Sequence, residues 1–332
     1  MASPGAMMLQ ARILSFALLC VAMLLWSAPA SPQDYPVRSI RLVVPFPAGG
    51  PSDFLSRVLG QGMSAALRQQ IVLENRTGAG GLTGVDSVAK STPDGYTIGI
   101  NSGSVLAAMP FMMAKFPFDW RRDLSLLTLV ARVHAVLAVH PSLPINTMQE
   151  LVVYAKSYPR KITFGSSGAG TFTHLVIELL MMQAKIELVH VPYRGAAPAV
   201  NDLIGGHIDM AAVDVSALLP HIRSGAIKAL AVTSATRSDA LAGVPTTSEA
   251  GFADVRSDNW YGLIAPAVLP AEAERRLRDA AMSVLGSADL KEQFATHDAV
   301  PSPSTPEEFT AFVQAEQMKW GPVVTAVGIK LD

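Results

Sequence analysis

The chain has 332 residues, of which 16% are charged, and its formal net charge at pH 7 is −1. That length is enough for a sizeable core and for two domains. The near-neutral balance predicts neither a basic surface for nucleic acid nor an acidic disordered tail, so we expect no nucleic-acid partner.

The first thirty residues have the pattern of a secretory signal peptide. Arg12 is their only charged residue, an apolar run follows over residues 13–26, and Ala28-Pro29-Ala30 has the A-x-A form of a cleavage site. The apolar run is too short to serve as a permanent membrane anchor. We therefore expect cleavage after Ala30 and an exported, soluble protein.

The only cysteine of the chain, Cys20, lies in this leader. The mature chain then has no disulfide, no thiolate nucleophile and no cysteine-ligated metal. Lipidation of Cys20 is the alternative. The bulky Leu18-Leu19 pair and the position of Cys20 inside the apolar run both favour an ordinary signal peptide.

The mature chain opens with a buried strand, a glycine-containing loop and a helix, over Ile40–Asp53. The strand stops at Pro45, and Pro51 stands at a favoured first helical position. Unpaired amides at the positive end of such a helix are a docking place for an anion. The alternative is an ordinary βα turn whose glycines only make it tight.

The rest of the first half continues this alternation. The pattern predicts a helix to about residue 67, strands at 71–74 and 96–100, a helix ending near residue 90, and a long apolar run at Leu124–Val139 that bends between two sheets. The glycine-rich loop at 75–84 fits neither nucleotide motif, because Thr83 occupies a required glycine position and no Lys-Ser/Thr pair follows.

In the second half, Thr147 and Thr171 are predicted to cap helices. Strands are expected at 162–165, 188–191, 210–214, 227–233 and 259–265, and helices at 198–205, 216–224, 270–285 and 288–296. Thr305, followed by Pro306 and two acids, predicts a capped last helix reaching about residue 324. This pattern predicts an α/β fold with two doubly wound parallel sheets. We assign residues 35–135 and 258–332 to lobe 1 and residues 136–257 to lobe 2, with a ligand cleft between them.

Four loops at the carboxyl ends of strands provide the candidate ligand site, at residues 46–52, 101–104, 166–173 and 214–216. They are rich in glycine and hydroxyl groups, and they contain no lysine or arginine. Helix-start amides and hydroxyls satisfy a small carboxylate, whereas phosphate usually recruits a basic side chain. The candidate ligand-binding residues are Phe46, Ala48, Gly49, Gly50, Ser52, Ser102, Ser104, Gly168, Ala169, Gly170, Thr171, Thr173 and Asp214. We expect no metal and no cofactor.

Several other side chains have two interpretations. Asp214 is either a helix N-cap or an acceptor for an ammonium or hydroxyl group of the ligand. Arg194 is a solvated or structural arginine, or a direct ligand contact. Trp260 and Tyr261 pack between the lobes, or they wall the cleft. For His174, a capping or packing role is favoured over a catalytic one.

Catalytic motifs are missing from the sequence, which contains no G-x-S-x-G, no H-E-x-x-H and no dense cluster of His, Asp and Glu. The chain is therefore predicted not to be an enzyme. An exported hydrolase using Ser102, Ser104 or Thr171 with His174 is the alternative. A sensing adaptor, whose loaded form contacts a signalling protein, is a further one.

Seven motifs, taken in order, resemble the Bug receptors, the periplasmic solute-binding proteins of tripartite tricarboxylate transporters. The motifs are YPVRSIRLVVPFPAGGPSD (35–53), ENRTGAGG (74–81), PDGYT (93–97), HVPYRGAAPAVNDLIGGHID (190–209), LPHIRSGAIKALAVTS (219–234), WYGLIAP (260–266) and STPEEF (304–309). No single motif is diagnostic, but their joint order is specific and covers essentially the whole mature chain.

The resemblance implies a two-lobed periplasmic binding protein that closes on a carboxylated solute and delivers it to a membrane permease. We expect this protein to be a monomer. It also implies that the loops at 46–52 and 168–173 grip the solute, with ordered waters bridging to the first loop. Two departures bear on selectivity. Many members have a polar side chain at the position of Ala169 and often an asparagine near Asp214-Val215, so the resemblance does not by itself imply citrate as the ligand.

Overall fold

The computed structural model describes residues 35–331. The predicted signal peptide, with Cys20 and the cleavage site after Ala30, lies outside the described residues. The contacts of the chain separate residues 1–37 from a unit that begins at Arg38, and all the elements described here belong to that unit.

Ten strands within residues 35–331 form one mixed sheet. Their order is β2-β1-β3-β9-β4-β7-β5-β6, and β8 and β10 also pair with β4. The strands are β1 (Ile40–Val44), β2 (Ile71–Asn75), β3 (Thr97–Ser102), β4 (Leu124–Val139), β5 (Thr163–Ser166), β6 (Val189–Pro192), β7 (Met210–Asp214), β8 (Lys228–Val232), β9 (Asp258–Pro266) and β10 (Ala299–Pro301).

Eleven α-helices are found in the described part of the chain. They are α1 (Pro51–Leu67), α2 (Leu82–Ala89), α3 (Gly103–Ala107), α4 (Trp120–Asp123), α5 (Met148–Ser157), α6 (Phe172–Ala184), α7 (Ala196–Ile204), α8 (Val215–Arg223), α9 (Ala271–Gly286), α10 (Ala288–Ala295) and α11 (Pro306–Val327). None of the helices within residues 35–331 has both the length and the apolar character that crossing a bilayer requires.

Strand β4 joins the two halves of the sheet, as its unusual length predicts. From Leu124 to His134 it pairs with β9, and from Ala135 to Val139 it pairs with β7. Within each half the strands that alternate with helices run parallel, which agrees with the predicted alternation. The crossing strands β4 and β9 run antiparallel to their neighbours, so the complete sheet is mixed rather than parallel.

Local capping signals place several helix starts. Thr305 and Glu308 form a reciprocal capping box before α11, with Pro306 at the first helical position, and Thr147 Oγ1 accepts a hydrogen bond from the Glu150 amide before α5. Both caps confirm the prediction. Helix α7 begins at Ala196, two residues earlier than Pro198, the predicted first residue.

The C-terminal segment packs on the first half of the sheet, as expected. Strand β9 lies between β3 and β4, and α9 packs against α1. Trp260 is buried, meets the rings of Phe309 and Phe312 edge-on, and donates a 3.2 Å hydrogen bond to Glu316. This side chain therefore serves packing and does not line the cavity described next.

Candidate functional site

A narrow cavity lies at the carboxyl ends of strands from both halves of the sheet. The space between its walls that is free of protein atoms is about 430 Å³, including the part that opens to solvent. Its enclosed part is narrow, so a solute molecule enters only if the walls separate. The lining residues are Phe46, Pro47, Gly50, Pro51, Ser52, Ser102, Ser167, Thr171, Phe172, Thr173, Ala196, Ala197, Asp214, Asn259 and Tyr261.

Four helices of eight or more residues begin at the wall of this cavity. Residues of the first turns of α1, α6 and α7 line it, and Asp214, the N-cap residue of α8, lines it as well. None of these four helix starts has a side-chain cap. The first amides of each helix have no partner within the helix and carry partial positive charge. The cavity thus brings four positive helix ends together without a lysine or arginine among its described lining residues.

The loop before α1 is held by the carboxylate of Asp53. Its oxygens accept hydrogen bonds from the Gly49 amide (3.1 Å), from Arg57 Nε (2.8 Å) and from Asn75 Nδ2 (3.1 Å). Asn75 Nδ2 also donates to the carbonyl of Phe46, at 2.8 Å. Burial by itself raises the pKa of Asp53, but the bonds from Arg57, Gly49 and Asn75 lower it below its ordinary value. These contacts hold the loop in one conformation at the cavity.

The loop before α6 uses its hydroxyls internally. Thr171 Oγ1 donates to the Gly168 carbonyl at 2.7 Å and lies 2.9 Å from Thr173 Oγ1, which accepts from the Ser167 amide at 3.0 Å. Thr171 occupies the predicted N-cap position, but its side chain does not cap the helix. The prediction of a side-chain cap was wrong, because the hydroxyl binds the preceding turn and leaves the first amides of α6 free of it.

Asp214 is fully buried in the cavity wall and is bonded to two residues of β9. Tyr261 Oη donates to its Oδ2 at 2.6 Å, and Asn259 Nδ2 donates to both carboxylate oxygens at 3.2 Å. Burial raises the pKa of Asp214 to about 6, against the lowering effect of these bonds and of His134. Burial and the adjacent carboxylate also raise the pKa of Tyr261 well above its ordinary value. The carboxylate takes no part in a side-chain N-cap.

Ser52 supplies an unused polar group to the same wall. Its side chain is 1% exposed, and its Oγ has no hydrogen-bond partner among the described residues. A buried hydroxyl without a partner is costly in a folded protein. It is therefore available to a guest in the cavity.

The cavity brings together seven of the thirteen predicted ligand-binding residues: Phe46, Gly50, Ser52, Ser102, Thr171, Thr173 and Asp214. It is not lined by Ala48, Gly49, Ser104, Gly168, Ala169 or Gly170. Gly168 and Ala169 line a second, neighbouring cavity that includes the 78–82 loop and Arg194. Arg194 thus lies outside the first cavity.

Sequence reasoning missed Ala196, Ala197 and Asn259, and it left the position of Tyr261 open. The start of α7 has no polar cap, because Gly195 is followed by two alanines and Pro198. The sequence therefore gave only a weak indication of a helix start there. Asn259 and Tyr261 are two residues apart in β9, so their side chains lie on the same face of the strand. Only the pairing of β9 with β4 brings that face to Asp214.

His174 lies beside the candidate loop but does not line the cavity. The Gly170 amide donates to its Nδ1 at 3.2 Å, so Nε2 carries the proton and donates to Glu178 at 3.1 Å. Its ring stacks on His190 with centroids 3.8 Å apart. The contacts of His174 are therefore those of a packed side chain. Within residues 35–331 no three His, Cys, Asp or Glu residues are grouped as a metal site.

The fold and the site together define a class of protein, the α/β solute-binding proteins whose ligand cavity lies between two sheet halves. Residues 55–329 match the family model described as the tripartite tricarboxylate transporter family receptor, TctC. The chain belongs to this family of periplasmic receptors, and the resemblance to the Bug receptors is thereby confirmed.

Individual relatives agree with this assignment. Protein BugT of Bordetella pertussis is 35% identical over 306 residues, which cover 92% of this chain and 94% of that protein. The structure of Rpa4515 from R. palustris with adipate has a TM-score of 0.86 and 32% identity, and covers 90% of this chain and 99% of that one. MatC from Rhodopseudomonas palustris with bound malate has a TM-score of 0.83 and 28% identity, and covers 87% of this chain and 100% of that one.

Proposed function

We propose that this receptor captures a small carboxylate in the narrow cavity and delivers it to the membrane permease of a tripartite tricarboxylate transporter. The observation that carries the proposal is the convergence of four helix N-termini on a cavity whose described lining contains no lysine or arginine. Amides at helix starts form charge-assisted hydrogen bonds to an anion. The relatives solved with adipate and with malate support the same class of ligand.

The predicted lobes give this site a closing motion. Lobe 1 (residues 35–135 and 258–332) contributes the loop before α1 and the face of β9, while lobe 2 (residues 136–257) contributes the starts of α6, α7 and α8. A guest that contacts both sets favours the closed arrangement over an open one. The change of pairing partner between His134 and Ala135 on β4 supports a boundary at residues 135 and 136.

Calorimetry with matched pairs of guests tests the proposal. We expect succinate or another short dicarboxylate to bind at micromolar affinity or better, and the corresponding diamide to bind about 100-fold more weakly, because the amide lacks the charge that the helix amides stabilise. Ser52→Ala is expected to weaken binding about tenfold, whereas Ser283→Ala, at an exposed position on α9, leaves it unchanged. Binding of a neutral sugar with no binding of any carboxylate would contradict the proposal.

Binding without turnover is part of the same proposal. Both ring nitrogens of His174 are engaged, by Gly170 and Glu178, which supports packing over general-base chemistry with Ser102, Ser104 or Thr171. We expect His174→Ala to leave carboxylate binding nearly intact. Hydrolysis of a carboxylate ester by the wild type that His174→Ala abolishes would favour the hydrolase.

We also propose export to the periplasm, with cleavage after Ala30 and a monomeric mature protein. The mass of the protein recovered from the periplasm should correspond to a first residue of Ser31, and light scattering should give the mass of one chain. Affinity capture with and without a bound guest separates the permease from a signalling partner, because recovery of a sensor domain instead of the permease would favour the adaptor.

A further inference from the structure

A buried carboxylate is an unexpected wall for a cavity that attracts anions. Asp214 is 2% exposed and forms no ion pair with any lysine, arginine or histidine among the described residues. Its three hydrogen bonds come from the neutral groups of Tyr261 and Asn259. Neutral donors solvate a charge without cancelling it, so the cavity retains a negative group next to four positive helix ends.

The bonds to Asp214 are distributed unevenly over its two oxygens. Oδ2 accepts from Tyr261 at 2.6 Å and from Asn259 at 3.2 Å. Oδ1 accepts one bond among the described residues, the 3.2 Å bond from Asn259. A carboxylate offers about four acceptor positions, so Oδ1 keeps acceptor capacity.

The bond from Tyr261 does not by itself require a charge at this position. An asparagine oxygen at residue 214 would accept the bond from Tyr261 and would avoid the cost of burying an ion. The ionised form gains its advantage when a further donor reaches it. Ser52 Oγ, buried in the same cavity wall and without a partner among the described residues, is another polar group of this site with unused hydrogen-bonding capacity.

We propose that Asp214 accepts a hydrogen bond from a donor group that the guest carries next to its carboxylate. The site would then select 2-hydroxy or 2-amino carboxylates over plain carboxylates of the same length. The narrow cavity keeps the donor close to the carboxylate that the helix amides bind. An ammonium group also neutralises Asp214, whereas a hydroxyl supplies a hydrogen bond alone. This inference rests on the proposed function, because it assigns a substrate class to the same cavity.

Calorimetry at pH 7.5 with three series of guests tests the inference. The series are propionate, lactate and alanine; succinate, malate and aspartate; and glutarate, 2-hydroxyglutarate and glutamate. Within each series the chain is constant and the C2 substituent is hydrogen, hydroxyl or ammonium. In a series that binds, we expect the hydroxy or amino member to bind at least about tenfold more tightly than the plain acid.

The outcomes separate this inference from the proposed function. Plain acids that bind as tightly as their substituted partners would overturn the selection and leave the proposed function standing. Failure of every carboxylate to bind would overturn both. A preference for hydroxyl over ammonium, or the reverse, identifies which donor the site takes.

Asp214→Asn tests whether this residue makes the selection. We expect the affinity ratio between the substituted and the plain acid to fall towards one, with the plain acid still bound. Asp202→Asn is the matched control, since Asp202 accepts a 2.6 Å bond from Tyr193 in the same manner but does not line the cavity. Its ratio should equal that of the wild type.

A merely structural Asp214 would give a different result. Asp214→Asn would then weaken all members of a series by the same factor and leave the ratio unchanged, which would overturn the inference. Should the variant fail to fold, Tyr261→Phe provides the second test. It removes a tie to Asp214 but keeps the carboxylate, so the ratio should persist, and its loss would also overturn the inference.

Discussion

Tyr261 on β9 and Asp214 at the end of β7 are joined by a 2.6 Å hydrogen bond across the two halves of the sheet. The two residues lie 47 positions apart, and neither strand pairs directly with the other. Both strands pair with β4, whose partner changes from β9 to β7 between His134 and Ala135. The bond therefore fixes one wall of the cavity at the place where the halves meet.

Removal of this bond should lower stability. Tyr261→Phe leaves a buried carboxylate with fewer donors, and we expect a loss of about 1–3 kcal/mol in the free energy of unfolding, measured with urea. Tyr158→Phe is the control, because Tyr158 is 56% exposed and the change should stay within about 0.5 kcal/mol. Equal effects of the two changes would show that the bond adds nothing to stability.

The pH dependence of stability should include an Asp214 contribution. The pKa of Asp214 is about 6 in the folded protein and near the ordinary 3.8 when unfolded, so the native state binds the extra proton between these values. The wild type should therefore gain up to about 3 kcal/mol relative to Asp214→Asn as the pH falls from 7 to 4. Urea unfolding of both proteins at several pH values measures this gain. A constant difference between them across that range would contradict the prediction.

His190 should make the opposite contribution to the pH dependence of stability. Burial, and secondarily the neighbouring His174, lower its pKa from the ordinary 6.5 to about 3. The unfolded state then binds more protons between these values, and stability is lost as the pH falls through them. Relative to His190→Gln, which keeps a polar partner for Ser166, the wild type should lose stability below pH 6.5. A parallel pH profile for the two proteins would be incompatible with this assignment.

The conformation of the loop before α1 should depend on Asn75, whose side-chain amide donates hydrogen bonds to the Phe46 carbonyl and to Asp53. Asn75→Ala removes both bonds, so we expect the loop to loosen and the affinity for the best carboxylate of the panel to fall about tenfold. Calorimetry measures the change. Gln61→Ala, at an exposed position of α1, should bind like the wild type. An unchanged affinity in Asn75→Ala would mean that Asp53 and Arg57 alone hold the loop.

Closure of the lobes should be sensitive to Gly80, which has φ +61° and lies close to the loop before α6. A Cβ at this position would lie 2.5 Å from Met109 Cε and 2.8 Å from the Ala169 carbonyl oxygen. Gly80→Ala should hold the two loops apart and weaken carboxylate binding about tenfold or more. Gly243→Ala has open space around it and is the control. X-ray scattering of the guest-bound proteins should show a larger radius of gyration for Gly80→Ala only.

The local elements of the fold follow from the sequence, because each depends on near neighbours. Pro51 begins α1, Thr147 caps α5, and Thr305 with Glu308 forms the box before α11. The length of the run at Leu124–Val139 predicts a strand shared by two sheet halves. The absence of basic residues from the candidate loops indicates a cavity that binds through amides and hydroxyls.

The sequence could not indicate which side chains share a wall, since partners depend on strand register and on how distant segments cross. Tertiary structure alone brings Asn259 and Tyr261 to Asp214, places the start of α7 at the cavity, and directs Gly168 and Ala169 to the neighbouring one. The hydroxyl of Thr171 illustrates the same limit. Its position in the sequence is that of a helix cap. In the folded chain, however, the hydroxyl is hydrogen-bonded to the Gly168 carbonyl and to the hydroxyl of Thr173. Local chemistry thus determined which helix ends lack a side-chain cap, and the packing of the two halves decided which of them meet at one cavity.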